Sequence, residues 1–155
     1  AATIPSAHLL IVGAGPQRRA LERLAGQLGI ARAVRFAGSV PETRTALALM
    51  DAFVFLPATR EGFGLSLLEA MASGRPIVSV QRGGGSSWVL QESGAGVTVP
   101  ADEPLKLGQV LVELLHDRGR LRDLGEQAQR IAKSRYDAPR MVAQIEHAYQ
   151  DAAYA

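Results

Sequence analysis

Residues 60–78 read Arg60-Glu61-Gly62-Phe63-Gly64-Leu65-Ser66-Leu67-Leu68-Glu69-Ala70-Met71-Ala72-Ser73-Gly74-Arg75-Pro76-Ile77-Val78. Just upstream, Phe53-Val54-Phe55-Leu56 is apolar on both faces, the mark of a strand covered on both sides in a parallel sheet. The stretch itself then gives a glycine-punctuated loop and a helix over 65–73. Gly74 suits a left-handed helix end, and a second apolar strand follows over 76–80. Strand, loop, helix and strand in that order, with short connections, predict a right-handed βαβ unit.

The same alternation extends outward. Residues 8–12 form a short apolar, partly β-branched run, read as a buried strand. Gly13-Ala14-Gly15-Pro16 breaks it, and Pro16 is suited to opening a helix. Over 17–28, Leu21, Leu24, Ala25 and Leu28 recur at helical spacing, with Arg18, Arg19, Glu22 and Arg23 facing outward. A second strand is expected over 34–37, closed by Gly38, and a short helix over 42–50. Downstream of 80, the turn Gly83-Gly84-Gly85 leads into a helical segment near 86–92, and 97–99 reads as a fifth strand. After Pro100 three helices are expected. Leu107, Val110, Leu111, Leu114 and Leu115 line the first, and Leu121, Leu124, Ala128 and Ile131 the second. Met141, Val142, Ile145 and Tyr149 line the last. The fold class is α/β, a Rossmann-like doubly wound parallel sheet with extra C-terminal helices, in a single domain over 1–155.

The totals narrow the function. The chain has 155 residues, 47% hydrophobic and 21% charged, enough to fill a core. Its 17 basic and 15 acidic side chains leave a formal charge of +2, too small to argue for nucleic acid. Aromatics are only 5%, which speaks against base-stacking platforms. With no cysteine, disulfides, thiolate catalysis and Cys-ligated metals are excluded, and a cytoplasmic location fits. His8, His116 and His147 lack metal spacing. No apolar run reaches the about 18 residues of a membrane span. The opening Ala1-Ala2-Thr3-Ile4-Pro5 does not read as a signal peptide. Lacking Met, it reads as the tail of a helix or loop of a longer chain.

The chemistry concentrates where the first quoted strand ends. Ligands of open α/β sheets sit beyond the carboxyl ends of strands. A helix N-terminus there offers unpaired N–H groups and a positive dipole end, both suited to phosphate. Gly62 and Gly64 let the backbone approach a ligand. Glu69 falls on the second helical turn, about 7 Å along the axis from its start by the ~1.5 Å rise per residue. Glu61 and Glu69 are therefore spaced to grip two parts of one extended ligand, and carboxylates accept well from sugar hydroxyl pairs. Taken alone, two such glutamates also read as solvated surface. Gly13-x-Gly15 alone is a plain turn. Position 18 is Arg, so the dinucleotide fingerprint fails and a nicotinamide-dependent oxidoreductase is excluded. Arg60 and Arg82 flank the proposed cleft and could meet phosphates, or simply face solvent. Ser66 has no triad context.

The segment EGFGLSLLE followed by AMASGRPIV resembles retaining glycosyltransferases of family 4 and their GT-B relatives. More of the chain agrees. Val12-Gly13-Ala14-Gly15-Pro16 resembles the family's VGxGP, and residues 34–41 its VxFxGxVP. Residues 52–57 resemble the strand before its glutamate loop, and Val97-Thr98-Val99-Pro100 its GLLVP. The resemblance implies the C-terminal, nucleotide-sugar-binding domain of such an enzyme. It implies that Glu61 is the catalytic carboxylate on the donor sugar hydroxyls and Glu69 the one on the ribose. The backbone of Gly64, Leu65 and Ser66 would face the diphosphate, with Gly62 and Phe63 in the same donor loop. Gly13 and Gly15 would line the cleft, with Gly38 and Val40 near the nucleobase. The donor would be a nucleoside-diphosphate sugar, with UDP or GDP as the nucleotide. Transfer would proceed with retention and without a bound metal or other cofactor.

Two departures stand out. The family's domain begins with a further central strand and helix carrying an Arg and a Lys for the diphosphate, absent from these 155 residues. The acceptor-binding N-terminal domain is absent too. Strand edges and apolar surface should thus be exposed, which opens a route to homo-oligomers through those strands, and the chain alone should not catalyse transfer. The second departure is Trp88. It stands where the family commonly places Glu after Gly-Gly and two residues, and it either packs or stacks on a ring, packing being the simpler expectation. The basic face at Arg18, Arg19 and Arg23 is solvated or, in the intact enzyme, touches anionic lipid at the inner membrane face. The rival reading is a non-catalytic nucleotide-sugar-binding module or a partner subunit.

Overall fold

A computed structural model of the chain describes residues 4, 6–57 and 61–153. The strands and helices alternate as the periodicity predicts. In order they are β1 (Leu9–Val12), α1 (Arg18–Gln27), β2 (Val34–Gly38), α2 (Thr43–Ala48), β3 (Phe53–Phe55), α3 (Leu65–Ala72), β4 (Ile77–Gln81), α4 (Gly85–Ser93) and β5 (Gly96–Pro100). Three helices follow: α5 (Pro104–His116), α6 (Arg118–Arg135) and α7 (Ala138–Ala153). A 3-10 turn at Ala31–Ala33 precedes β2. From β1 to β5 the boundaries differ from those the sequence predicts by a residue or two, as helix ends and strand ends do.

The chain divides into two compact units, Ala1–Met50 and Asp51–Ala155. In the first, β1 and β2 run parallel, Leu9 opposite Val34 and Ile11 opposite Phe36, with an irregularity between Ile11 and Val12. In the second, β3, β4 and β5 form a parallel three-stranded sheet in that order. Among the described residues the five strands therefore make two parallel sheets, with β1 and β3 each at an edge of its own sheet.

The second unit holds most of the core. β4 is its middle strand and is buried from Ile77 to Val80, which is why that stretch is apolar without alternation. Ser79, its one polar member, donates from Oγ to the carbonyl of Phe55 at 3.0 Å. A hydroxyl is tolerated there because it is bonded. Val78, Leu114 and Leu121 form a buried cluster backed by Leu107, Val110, Leu111 and Leu124, so the expected apolar faces of α5 and α6 are the ones used. α6 lies against α3 through glycine. A methyl group on Gly125 would collide with the carbonyl of Gly74, and Gln129 donates to the carbonyl of Ala72 at 3.2 Å.

Two apolar stripes read as core-facing are not buried. On α1 only Ala25 is buried, while Leu21 and Leu24, and Leu28 just past its end, keep between a third and two thirds of their surface exposed. A two-stranded sheet is too narrow to cover a helical stripe. On α7 no residue is buried, and Met141, Val142, Ile145 and Tyr149 are all exposed. Trp88 is a third correction. It is 55% exposed rather than packed, because α4 spends its inner face on Ser86, Val89, Leu90 and Ser93, one helical turn apart or nearly so.

Candidate functional site

In the second unit the site grows from the carboxyl end of β3. Arg60 lies outside the described residues. Glu61, half-buried, forms an isolated parallel bridge with Gly84, so the glutamate loop is laid against the glycine turn after β4. Gly84 and Gly85 of that turn leave no room for side chains. A Cβ on Gly84 would meet the Glu61 carbonyl oxygen, and one on Gly85 would collide with that of Gly62. Gly83 and Gly84 have φ of +72° and +85°, in the left-handed region that glycine alone enters freely. Ser87 Oγ donates back to the Gly83 carbonyl at 3.2 Å and steadies the turn. By its sequence this run is a connection to α4. It is also a clamp on the loop from 61 to 63, a contact between segments some twenty residues apart that local spacing does not announce.

Gly64 starts α3 in the left-handed conformation, φ +82° and ψ +72°. Its carbonyl accepts from the N–H groups of Leu67 at 2.9 Å and Leu68 at 3.2 Å. The N–H groups of Leu65 and Ser66 have no main-chain acceptor among the described residues. They are the first-turn donors every α-helix leaves over. Leu65 and Ser66 are exposed, and no side chain caps this terminus. A free amide pair on the positive end of a helix dipole is what an anion needs. The expected residues Gly62, Phe63, Gly64, Leu65 and Ser66 are thus contiguous at one helix entrance, with Glu61 immediately before it.

Glu69 sits on the second turn of α3 with its side chain exposed. It lines a cavity of about 340 Å³ together with Leu65, Leu68 and Ala72 of the same helix and Lys133, Tyr136 and Asp137 at the end of α6. Glu61 is not among the residues lining that cavity. No local pattern points to the α6 residues, which lie more than sixty positions from Glu69. Tyr136 reaches further, meeting Phe63 edge-on with ring centroids 5.7 Å apart and planes at 72°. Arg82 lines a different cavity of about 240 Å³, with Leu56, Val80 and Glu103, at the carboxyl ends of β3, β4 and β5. Trp88, facing solvent on α4, is free to stack and does not pack.

In the first unit, Gly13 and Gly38 meet directly. The Gly13 N–H donates to the Gly38 carbonyl at 2.7 Å, and both have positive φ, +118° and +71°. Gly15 is exposed in the turn before α1, its carbonyl accepting from the N–H of Arg18 at 3.3 Å, and Val40 is half-buried beyond β2. Arg18 is more than a solvated charge. It pairs with Glu22 at 2.8 Å and lies over the ring of Phe36, 5.6 Å from its centroid, an attraction of cation and ring face.

The histidines stay outside both sets. His116 Nδ1 lies 2.8 Å from the Val112 carbonyl, and His147 faces Asp151 at 3.4 Å along α7. Among the described residues no group of three or more His, Asp or Glu is arranged to hold a metal ion. Nor is any helix among them long and apolar enough to cross a membrane.

A family model described as glycosyl transferases group 1 matches residues 1–117. The lipopolysaccharide core biosynthesis glycosyltransferase LpsE of Rhizobium meliloti (strain 1021) is 33% identical over 129 residues, 81% of this chain and 37% of that protein. The N-acetyl-alpha-D-glucosaminyl L-malate synthase of Bacillus anthracis is 32% identical over 145 residues, 94% of this chain and 38% of that protein. The chain thus spans less than two fifths of the length of either relative. The crystal structure of Anabaena Alr3699/HepE in complex with UDP matches with a TM-score of 0.88 at 22% identity, over 96% of this chain and 42% of that one. That likeness bears on the fold, a Rossmann-like α/β domain of the GT-B type.

Proposed function

The chain belongs to the group 1 glycosyltransferases, and on that premise we propose that it is the C-terminal, donor-binding part of a retaining family 4 enzyme that takes a sugar from a nucleoside-diphosphate sugar. The free N–H pair of Leu65 and Ser66, opened by a left-handed Gly64 with a glutamate on either side in sequence, carries this reading. The helix entrance receives the diphosphate. Exposed Glu69 accepts from the ribose hydroxyls, and Glu61, held by Gly84, accepts from hydroxyls of the donor sugar. Gly62 and Phe63 complete that loop. The family resemblance also assigns donor contacts to Gly13, Gly15, Gly38 and Val40 of the first unit, the last two near the base. When the glycosidic bond to the diphosphate breaks, negative charge builds on the leaving phosphate. A preorganised helix terminus stabilises that charge in place, without a bound metal.

The donor is a UDP- or GDP-sugar and the enzyme a hexosyltransferase, working in the cytoplasm or at the inner membrane face. Acceptor binding falls to a separate N-terminal domain, so this chain alone does not turn over donor. Trp88, exposed where the family commonly has glutamate, favours a second reading as a sugar-nucleotide-binding module or partner subunit without catalysis.

A thermal-shift panel with UDP, GDP, ADP and their sugars tests the proposal. Stabilisation by one nucleotide series, abolished in Glu69→Ala, is the expected result. No shift with any nucleotide, or shifts indifferent to that substitution, contradict it. Turnover by the isolated chain in a glycosyl-transfer assay contradicts the division of labour.

A further inference from the structure

Phe63 is flanked by Gly62 and Gly64, the two residues with the least intrinsic restraint on their dihedrals. The loop's main chain is held from one side by Gly84 and Gly85 and, at Gly64, by the ring of Phe55, whose ζ carbon would lie 3.0 Å from an added Cβ. The side chain of Phe63 points out of this clamp and is 42% exposed. Its ring partner among the described residues is Tyr136, which ends α6 and donates its own N–H to the Ala132 carbonyl at 3.0 Å. Next to it, the Asp137 carbonyl accepts from the N–H of Met141 at 3.1 Å and begins α7. Tyr136 is therefore fixed by the corner between two long helices, and its ring bears on Phe63, the residue immediately before Gly64.

We propose that Tyr136 is a positioning residue for the donor cradle: its ring holds Phe63, and Phe63 holds the entrance of α3 so that the N–H groups of Leu65 and Ser66 stay aimed at the diphosphate. The inference rests on the donor-binding reading above. It assigns a role to a side chain more than seventy positions from Glu61 and Phe63, and it requires the aromatic ring rather than the hydroxyl, for which no hydrogen bond is present among the described residues. An edge-to-face pair is oriented by ring quadrupoles, so a leucine fills space without supplying that orientation.

The test compares Tyr136→Phe and Tyr136→Leu with the unaltered chain at a temperature where all are folded. It reads backbone 15N order parameters at Phe63–Ser66 and the dissociation constant for UDP. Tyr136→Phe should match the unaltered chain in both. Tyr136→Leu should lower the order parameters from the rigid range, about 0.85, toward about 0.6. It should weaken UDP binding about two- to tenfold, while the amides of β4 stay unchanged. Phe63→Leu should reproduce the effect, add nothing to Tyr136→Leu in the double variant, and serve alone if Tyr136→Leu does not fold. A Tyr136→Leu or Phe63→Leu chain with unaltered order at Phe63–Ser66 overturns the proposal, as does a Tyr136→Phe chain as impaired as the leucine variant. GDP replaces UDP in the titration if the unaltered chain binds only GDP; if it binds neither, donor binding fails, and the order parameters still decide whether Tyr136 positions the loop.

Discussion

At Gly64 one added carbon reaches both stability and binding. Alanine there must adopt φ +82° and bring its methyl group 3.0 Å from the Phe55 ring. The left-handed conformation alone costs about 1–2 kcal/mol. Gly64→Ala should lower the unfolding free energy in urea by at least that amount and weaken UDP binding by turning the cradle. Gly62→Ala, with nothing within 4 Å of the new methyl group, should change stability by less than about 0.5 kcal/mol. Glu69→Ala separates the two properties in another way. The side chain is exposed, so stability should hold within about 0.5 kcal/mol. Loss of charged hydrogen bonds to a ribose should raise the dissociation constant for UDP about tenfold or more, as read by calorimetry. Both glutamates and the Gly62–Ser66 run were legible in sequence from type and spacing. That Gly84 and Gly85 press on Glu61 and Gly62, and that Tyr136 meets Phe63, was not, because each joins residues distant along the chain.

Between elements, the α3–α6 seam is set by the close approach of Gly125 to the Gly74 carbonyl. Gly125→Ala overpacks that seam and should cost about 1–3 kcal/mol in chemical denaturation. Gly108→Ala in α5, where a methyl group meets nothing within 4 Å, should instead stabilise by about 0.4–1 kcal/mol through a stiffer unfolded chain. A result in which the two substitutions behave alike would remove the seam from the description. Helical period and glycine stops placed α1, α2, α3 and α4 within a residue or two, since those signals are local. They failed for α1 and α7 as guides to burial. Leu24 and Met141 carry the pattern of a core-facing stripe, yet burial depends on a covering surface that the pattern does not contain.

Over the whole chain, protection from solvent should be uneven. β4 is buried from Ile77 to Val80 between two partner strands, whereas α7 buries none of its residues. Hydrogen exchange should therefore be slowest at the β4 amides and fast along α7. Equal protection in the two would contradict the described core. The α/β class and its parallel strands were legible from the unbroken apolar runs at 53–56 and 76–80. The separation into a two-stranded and a three-stranded sheet was not, because which strands pair depends on contacts across the chain.

The cradle at the start of α3 is tested most directly by titrating the 15N-labelled chain with UDP and GDP and, in parallel, with uridine and guanosine, which lack the diphosphate. The nucleoside diphosphate that binds should move the amide resonances of Gly64, Leu65 and Ser66 furthest, and its nucleoside should leave them nearly in place. Amide shifts at these three residues that are absent with both UDP and GDP, or equal for a nucleoside diphosphate and its nucleoside, would contradict a diphosphate seated on that helix.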